Sequence, residues 1–431
     1  MTDHLPAAPR PPAAPSFAAV LRRVDAVVGR GLARVTGGTV APYQAAVVRI
    51  GFALTWLLFL LREWPHRSRL YGPESPWSYD IAHRLIATNH AFTVLMWSGG
   101  RAWFEVVYAA AIVSSVLLLL GWRTRTSALL FMVGVLSLQN RSVFDGDGGD
   151  NVIHLMALYL VFTRCGRVWS LDAHRAGRSA ARAAAAGTPE RAGGGADATG
   201  VVLWSLLGVV LLTVLALGDL DPLWACGFCA ALVFHAVRWA LDRWAPGEPR
   251  TVLEMVSNLV HAGAMLVIVV EVCFIYACAG WYKIQGSRWE DGTALYYPLH
   301  LNDFTPWPAF SHLLASNGVI VMLITYGTVI VQVAFPFTLF NRRVKNVLLV
   351  MMMCEHAGIA VTLGLPFFSL AMISADAVFL PTGFLRWTGA ALARAVNGGV
   401  RRVTKGPGGG AAADLPGQRP AGDPAASTLL G

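Results

Sequence analysis

Charge is scarce in this sequence, and lysine is the scarcest of its charged residues. Only 14% of the 431 residues are Asp, Glu, Lys or Arg, whereas 55% are hydrophobic. Soluble domains carry about 25% charged residues, so this composition excludes an ordinary soluble domain. Of the 34 basic residues only three are lysines, Lys283, Lys345 and Lys405. The composition is typical of a polytopic membrane protein that meets almost all of its need for positive charge with arginine.

Apolar runs of membrane-spanning length recur along the chain. A transmembrane helix needs about 20 mostly apolar residues. The sequence therefore predicts an all-α, polytopic membrane bundle of about ten transmembrane helices. They are expected near residues 44–62, 103–121, 124–140, 151–164, 200–218, 223–240, 254–280, 317–340, 345–363 and 367–383.

The arginines occupy alternate connections between these runs. They lie in the N-terminal segment, near 123–125, 164–191 and 238–250, in the "NRRVKN" turn at 341–346, and in the C-terminal tail. By the positive-inside rule that side is cytoplasmic, together with both termini. The net charge of +9 is spread over loops and forms no aromatic-laced patch, so the expected partner is the lipid bilayer and not nucleic acid. Lys283 is then the only lysine on the outer side.

The sequence predicts neither a secretory leader nor a soluble catalytic domain. The start, "MTDHLPAAPRPPAAPS", lacks an apolar core, so the first membrane helix is expected to act as an uncleaved anchor. Residues 1–16 are expected to be disordered, and 17–36 to form an interfacial amphipathic helix. A soluble helix packed on a cytoplasmic loop is the alternative for 17–36. Residues 175–199 have linker composition, and 386–431 form a basic, then disordered, cytoplasmic tail.

Metal ligands are not expected. Cys226 and Cys229 form a CxxC, but a zinc or redox role inside a hydrocarbon helix is disfavoured, and small buried residues are the default. The "DGDGGDN" run at 145–151 lacks the glycine and final glutamate of a calcium loop. We therefore expect an acidic turn in which Asp150 or Asn151 is the N-cap of the next helix.

Ionisable residues inside membrane segments are costly and mark candidate functional positions. Several of them lie close enough to a segment end to reach water. Glu271, His356 and Asp376 lie deeper, and for each histidine a structural hydrogen-bonding role is as open as a functional one. The candidates are Arg49, Glu105, His154, His235, Glu254, His261, Glu271, Glu355, His356 and Asp376.

Lys283 differs chemically from the arginines around it. An arginine stays protonated in a protein, whereas a lysine in an apolar pocket can lose its proton and act as a base or nucleophile. A chain that otherwise uses arginine therefore has a chemical reason for an amine at this position. The alternative is an interfacial lysine whose long side chain reaches to water.

Three stretches of the sequence are similar to one family. "YACAGWYKIQGSRW" at 276–289 resembles the Tyr-x-x-Ala-Gly-x-x-Lys signature of the vitamin K-dependent gamma-carboxylase-like membrane domain, known in bacteria as the horizontally transferred transmembrane (HTTM) domain. "NRSVFDGDGGDNVIHLMALYLVFTRCGRVWSLDA" at 140–173 and "HAGIAVTLGLPFFSLAMISADAVFLP" at 356–381 fit the same family. The resemblance covers roughly residues 40–385.

This resemblance implies a quinone-dependent oxygenase or carboxylase acting at the outer face of the membrane. Its cofactor would be reduced vitamin K or a related menaquinol-type quinone. Lys283 would be the catalytic base, with His154 and His356 as further catalytic residues. Quinone or substrate binding is expected at Asn151, Tyr276, Trp289 and Tyr296, with Trp289 and its loop excluding water. A secreted peptide is the implied partner.

Three departures from the family leave the reaction and the substrate open. Tyr282 stands where the carboxylase has a second basic residue, and the helix pair at 200–240 is an addition. The large luminal region that helps bind the carboxylase's protein substrate is not expected after about residue 385. The alternative is a non-catalytic membrane partner in secreted-peptide maturation, export or immunity, like the sporulation-delaying-protein B type of relative. A transporter is a weaker interpretation, because no matched pair of broken helices is evident.

Overall fold

The computed structural model describes residues 17–187, 198–245 and 247–404, and every regular element in these ranges is helical. The all-α prediction is confirmed. The predicted disordered segments, 1–16 and the end of the tail, lie outside the described residues. The helices are α1 (Phe17–Gly37), α2 (Pro42–Glu63), α3 (Arg67–Leu70), α4 (Tyr79–Asn89), α5 (Arg101–Leu120), α6 (Thr124–Arg141), α7 (Gly148–Leu160), α8 (Leu171–Ala185), α9 (Ala198–Leu217), α10 (Pro222–Trp244), α11 (Glu248–Ile284), α12 (Ser287–Glu290), α13 (Pro308–Ala315), α14 (Gly318–Ala334), α15 (Arg342–Thr362), α16 (Pro366–Asp376) and α17 (Thr382–Thr404).

Among the described residues, seven helices are long and apolar enough to cross a membrane, which supports a membrane location. They are α2, α5, α9, α10, α11, α14 with its 3-10 extension to Thr338, and α15. An eighth span is added if Pro366–Phe379 and Thr382–Ala395 are counted together. The count of ten spans and the orientation of the termini stay predictions.

Two of the ten predicted spans, α6 and α7, are neither among these seven helices nor part of the eighth span. Thirteen of the 18 residues of α6 are buried, so this helix is surrounded by protein and tolerates Thr, Ser, Gln and Asn at positions that lipid would disfavour. Helix α7 has only 13 residues. At 1.5 Å per residue it is about 20 Å long, less than the thickness of about 30 Å of a hydrocarbon core.

The core of the bundle is formed where α2, α5, α6, α7 and α16 pack together. Large side chains fill it, and Phe52, Trp56, Tyr108 and Phe131 are all completely buried. The hydroxyl of Tyr108 donates a hydrogen bond of 2.7 Å to Leu60 O. The polar end of this buried ring therefore has a partner, as an apolar interior requires.

Arg49, one of the candidate residues, has a structural place in α2. Its guanidinium is completely buried and donates to the carbonyls of Leu118, of Leu119 at 2.8 Å and of Trp169 at 2.7 Å. The first two are among the last carbonyls of α5, which have no partner within the helix. Arg49 therefore caps α5 and joins it to the segment after α7.

The acidic turn before α7 caps this helix, but with a different residue from the one expected. Asp147 is the N-cap, and its carboxylate accepts from the N–H groups of Gly149 and Asp150. The carboxylate of Asp150 accepts in return from the N–H of Asp147 at 2.9 Å. The expectation of Asp150 or Asn151 as N-cap was wrong because this reciprocal capping box starts the helix earlier in the glycine-rich turn.

Helices α9 and α10 lie at the edge of the helical core. The indole Nε1 of Trp204 in α9 donates to Thr126 Oγ1 at 3.0 Å. No residue of α10, which is described over its whole length, is buried. This pair corresponds to the two spans predicted at 200–218 and 223–240.

The segments predicted at the chain ends and in the linker are partly helical. Helix α1 covers the predicted amphipathic segment and packs on α11. Helix α8 takes in the start of the linker, as far as Ala185. Residues 383–431 cluster as a separate unit, in which the described part of α17 is helical as far as Thr404.

Candidate functional site

One face of α11 carries the residues of the "YACAGWYK" signature that enter the bundle. Tyr276, Gly280 and Lys283 follow each other at intervals of four and three residues, which places them on the same side of the helix. A Cβ on Gly280 would lie 2.5 Å from Val333 Cγ2 and 3.3 Å from Val333 N. The glycine is therefore required where α14 crosses closely between the tyrosine and the lysine.

Lys283 is hydrogen-bonded to a neutral side chain. Its Nζ donates to Gln332 Oε1 on α14 at 2.8 Å, and Gln332 Nε2 donates to Glu355 Oε1 on α15 at 2.7 Å. Gln332 is only 5% exposed. We call Lys283, Gln332 and Glu355 the lysine cluster. The Gln332 amide lies between the Lys283 amine and the Glu355 carboxylate, so hydrogen bonds connect these two groups without direct contact between them.

A second group of polar residues lies two turns earlier along α11. The hydroxyl of Tyr276 donates to Asp376 Oδ1 at 2.9 Å and lies 3.0 Å from His356 Nε2. All three residues are at most 2% exposed. Tyr276, His356 and Asp376 are named the tyrosine cluster. It joins α11, α15 and α16 through polar groups inside an otherwise apolar bundle.

Two buried atoms of the tyrosine cluster have no hydrogen-bond partner among the described residues. These are Nδ1 of His356 and Oδ2 of Asp376. Buried polar atoms without a partner cost free energy, and their presence calls for an explanation such as a bound polar group. The cluster therefore has spare capacity to bind a ligand with polar atoms.

Trp289 lies against the lysine at the end of α11. Lys283 Nζ is 5.2 Å from the centroid of the Trp289 ring, within cation–π range. Helix α11 has 37 residues, a length of about 55 Å that exceeds the hydrocarbon core. Lys283 lies in its last turn, next to an aromatic residue of the type that favours the membrane interface. Trp289, which the sequence predicted as a quinone- or substrate-binding residue, therefore lies beside Lys283.

His154 and Asn151 lie away from these clusters in the hydrogen-bond network. His154 Nδ1 is 3.1 Å from Gln139 Oε1, and Gln139 Nε2 donates to Asp150 O at 3.0 Å. Asn151 is exposed in the first turn of α7. No hydrogen bond among the described residues joins His154 to the lysine or tyrosine cluster. Tyr296 is 45% exposed, and its ring lies 4.1 Å from the ring of His300.

Other candidate ionisable residues anchor loops. Glu254 on α11 bonds Arg164 at 2.6 Å and Arg238 at 2.8 Å. The ring of His261 accepts from the N–H of Arg164 at 3.0 Å through Nδ1 and lies 2.8 Å from Val40 O through Nε2. His261 is completely buried with both ring nitrogens in hydrogen bonds, so its role is structural.

The geometry singles out the lysine and tyrosine clusters as the candidate site. No family model, curated protein or solved structure matches this chain. The candidate function therefore depends on these contacts and on the resemblance of the three sequence stretches.

Gln332 was not among the residues predicted from the sequence, because those candidates were ionisable residues and glutamine is uncharged. A signal was present nonetheless. In "TVIVQVAFPF" at 328–337 the glutamine is the one amide side chain in a run of apolar residues. A polar side chain of this kind in a membrane segment requires a partner, and here it has two.

Proposed function

We propose that this chain is an integral membrane enzyme of the vitamin K-dependent gamma-carboxylase-like family, acting on a lipid quinone with Lys283 as its base. The observation that carries the proposal is the environment of Lys283 Nζ. Among the described residues its one hydrogen-bond partner is the neutral amide of Gln332. A carboxylate in direct contact would strongly hold the ammonium form, whereas the uncharged carbonyl of an amide favours the ammonium less and can also accept from the free amine.

The residues present fit a reduced quinone. Such a ligand has an apolar ring with polar oxygens at two edges. The tyrosine cluster offers the buried, unpartnered His356 Nδ1 and Asp376 Oδ2 to such oxygens. The rings of Phe335 and Phe368 pack on Tyr276 and His356, at centroid distances of 6.0 Å and 5.6 Å. Polar atoms between aromatic rings are the usual lining of a cofactor site.

Each cluster has a distinct part in this proposal. Lys283 Nζ takes up a proton, Gln332 Oε1 holds the resulting ammonium, and the nearby Glu355 carboxylate compensates its charge. Tyr276 fixes the orientation of His356 and Asp376 by bonding both. Trp289 limits the access of water to Lys283 from the end of the helix, which strengthens charge interactions there. A bound reduced quinone would supply the electrons for oxygen activation, as the family resemblance implies.

His154 is proposed to act indirectly. His154 lies on α7, which packs against α11 and α16, and its ring is hydrogen-bonded to Gln139 of α6. We assign it a positioning role for these helices and not contact with the lysine. Asn151 and Tyr296 are exposed, so their predicted quinone contacts depend on a ligand that extends to the surface of the protein.

The test is quinone turnover by purified, full-length protein in lipid nanodiscs, with menaquinol as the probe. Lys283→Ala and Lys283→Arg are both expected to abolish turnover, because a guanidinium keeps its proton. Lys345→Arg is the matched control. It makes the same chemical change at the start of α15, where Lys345 Nζ donates to the carbonyl of Phe379, and it should keep turnover at the wild-type level.

Full turnover by Lys283→Arg would eliminate the role of Lys283 as a base. Absence of turnover in the wild-type protein, together with loss of a biological phenotype in Lys283→Ala, would favour the non-catalytic partner in secreted-peptide maturation, export or immunity.

A further inference from the structure

Helices α9 and α10 enclose an apolar cavity against α5 and α6. Its volume is about 350 Å³, within the range of small-molecule sites. The wall includes Ala110, Leu130, Leu211 and Leu232, one from each helix. Ser114 has the one hydroxyl in the described lining, and this hydroxyl donates to Ala111 O at 3.0 Å. The cavity therefore presents only apolar surface to an occupant.

A second cavity of about 390 Å³ adjoins the first at the α9–α10 turn. The two share Phe92, Trp97 and Leu220 as lining residues. Tryptophans such as Trp97 collect at the interface between membrane and water, which indicates that the shared wall lies near the polar end of the helix pair. The two cavities therefore meet at the depth where a lipid changes from chain to head.

The second cavity combines apolar and polar side chains in its lining. His83, His90, Asp219 and Asp221 line it, and His90 Nδ1 lies 2.9 Å from Asp221 Oδ2. Neither cavity has a lysine or arginine among its described lining residues. Two carboxylates repel a phosphate, whereas they accept hydrogen bonds from hydroxyl groups. This lining therefore favours a head that carries hydroxyl groups over one that carries a phosphate.

The packing of the helix pair also favours an occupant. No residue of α10 is buried, although the helix is described completely. An apolar cavity of this size excludes water, so the side chains of an empty cavity wall would lack van der Waals contacts on one side. An apolar chain in the cavity would supply those contacts and would hold α9 and α10 against α5 and α6.

We propose that the two cavities form one binding site for a lipid with a single apolar chain and an uncharged, hydroxyl-bearing head. The chain lies between α5, α6, α9 and α10, and the head lies beside Asp219 and Asp221. This site is separate from the lysine and tyrosine clusters and does not depend on the function proposed for them. It gives the added helix pair a role of its own.

The test uses a monoacylglycerol with a diazirine in its chain, bound to the full-length protein in nanodiscs and cross-linked by light. Mass spectrometry is expected to place the label on peptides of α5, α6, α9 and α10. Ala110→Trp fills the cavity and should remove most of the labelling, since its indole takes up the volume in which the chain would lie. Excess unlabelled monoacylglycerol should displace the probe from the wild-type protein.

Ala109→Trp is the matched control. Ala109 is the neighbouring exposed residue of α5 and does not line the cavity, so its labelling should stay at the wild-type level. A phosphatidylglycerol probe with the same diazirine chain should label these peptides weakly. Equal labelling of Ala110→Trp and Ala109→Trp, or no displacement from the wild-type protein, would refute the site. Equal labelling by the phosphatidylglycerol probe would refute the uncharged head.

Discussion

At the scale of single residues, the chemistry of a charged group depends on its hydrogen-bond partner as well as on the group itself. Lys283 is 2.8 Å from a glutamine, and the carboxylate of Glu355 is one hydrogen bond further away. A lysine that merely extends to water would need no buried amide as a partner. The presence of Gln332 in place of an acid is therefore the residue-level feature on which the proposed role of Lys283 as a base rests.

This distinction predicts the effect of Gln332→Glu. A carboxylate in contact with Lys283 Nζ stabilises the ammonium form, so a higher pH is needed to obtain the free amine. In the menaquinol assay the rising limb of the pH–rate profile should move to higher pH, by about 1–3 pH units. Gln332→Met, which removes the bonds without adding charge, should lower the rate without this upward shift. An unchanged profile for Gln332→Glu would contradict the role of Lys283 as base.

Tyr276 gives a second residue-scale prediction, on stability. Tyr276→Phe leaves Asp376 Oδ1 and His356 Nε2 without their buried partner, which should cost about 1–3 kcal/mol in the free energy of unfolding. Tyr326→Phe is the control, because its hydroxyl donates to Glu290 O at 2.8 Å from a partly exposed position. Thermal unfolding in detergent compares the two. Equal stability of both variants would show that the tyrosine cluster does not stabilise the bundle.

At the scale of helices, the close crossing of α11 and α14 positions the lysine cluster. The backbones approach at Gly280 and Val333, one residue from Gln332 and one turn from Lys283. The glycine of the signature thus has a packing reason, since a side chain there would move α14 and lengthen the bond between Lys283 and Gln332.

Gly280→Ala should therefore lower stability by about 1–3 kcal/mol, as expected for overpacking, and should reduce turnover as well. Gly263→Ala is the matched control on the same helix. A Cβ at Gly263 meets nothing within 4 Å, and alanine should stabilise the helix by about 0.5–1 kcal/mol. Thermal unfolding and the menaquinol assay measure both effects. A wild-type result for Gly280→Ala would mean that the crossing tolerates a wider separation.

Another helix-scale prediction concerns the attachment of α11 to its neighbours. Glu254 bonds Arg164, which is 8% exposed in its side chain, and also Arg238. Glu254→Gln should cost about 2 kcal/mol in unfolding free energy, between the values for exposed and buried ion pairs. Glu248→Gln, at the exposed start of the same helix, should change stability by less than about 0.5 kcal/mol. Chemical denaturation of both variants in the same detergent would measure the difference in their unfolding free energies.

At the scale of the whole molecule, the predicted arrangement in the membrane rests on the distribution of arginine. In the described part of the chain, seven helices meet the requirements for a span on length and composition. The buried α6 and the short α7 do not meet them alone, because polar residues make the first too hydrophilic and the second is too short. The prediction of ten spans thus depends on whether this pair crosses the membrane.

Cysteine labelling tests the orientation and this pair together. In a background without the exposed native cysteines, Asp303→Cys and Asp145→Cys should react with an impermeant maleimide on intact cells. Arg343→Cys should react only after permeabilisation, because basic loops stay cytoplasmic. Reaction of Arg343→Cys in intact cells would invert the orientation. Protection of Asp145→Cys in intact cells would show that α6 does not cross.

Much of the architecture is readable from the sequence because apolar runs and arginine blocks are local features. The helix that carries the signature and the helix pair α9–α10 were both indicated in this way. The N-cap of α7 was misplaced by three or four residues, since several aspartates and glycines in that turn satisfy the same local rule. Asp147 caps the helix only because Asp150 returns its hydrogen bond.

The sequence determined that this chain is helical and apolar and that an unusual lysine ends its longest helix. Hydrophobicity and residue type act over a few neighbouring positions, so these properties need no knowledge of distant contacts. Only the tertiary structure decided that Gln332 stands between Lys283 and Glu355, and that Tyr276 meets His356 and Asp376. Those pairs are 23 to 100 residues apart, and only the packing of α11, α14, α15 and α16 brings them within hydrogen-bonding distance.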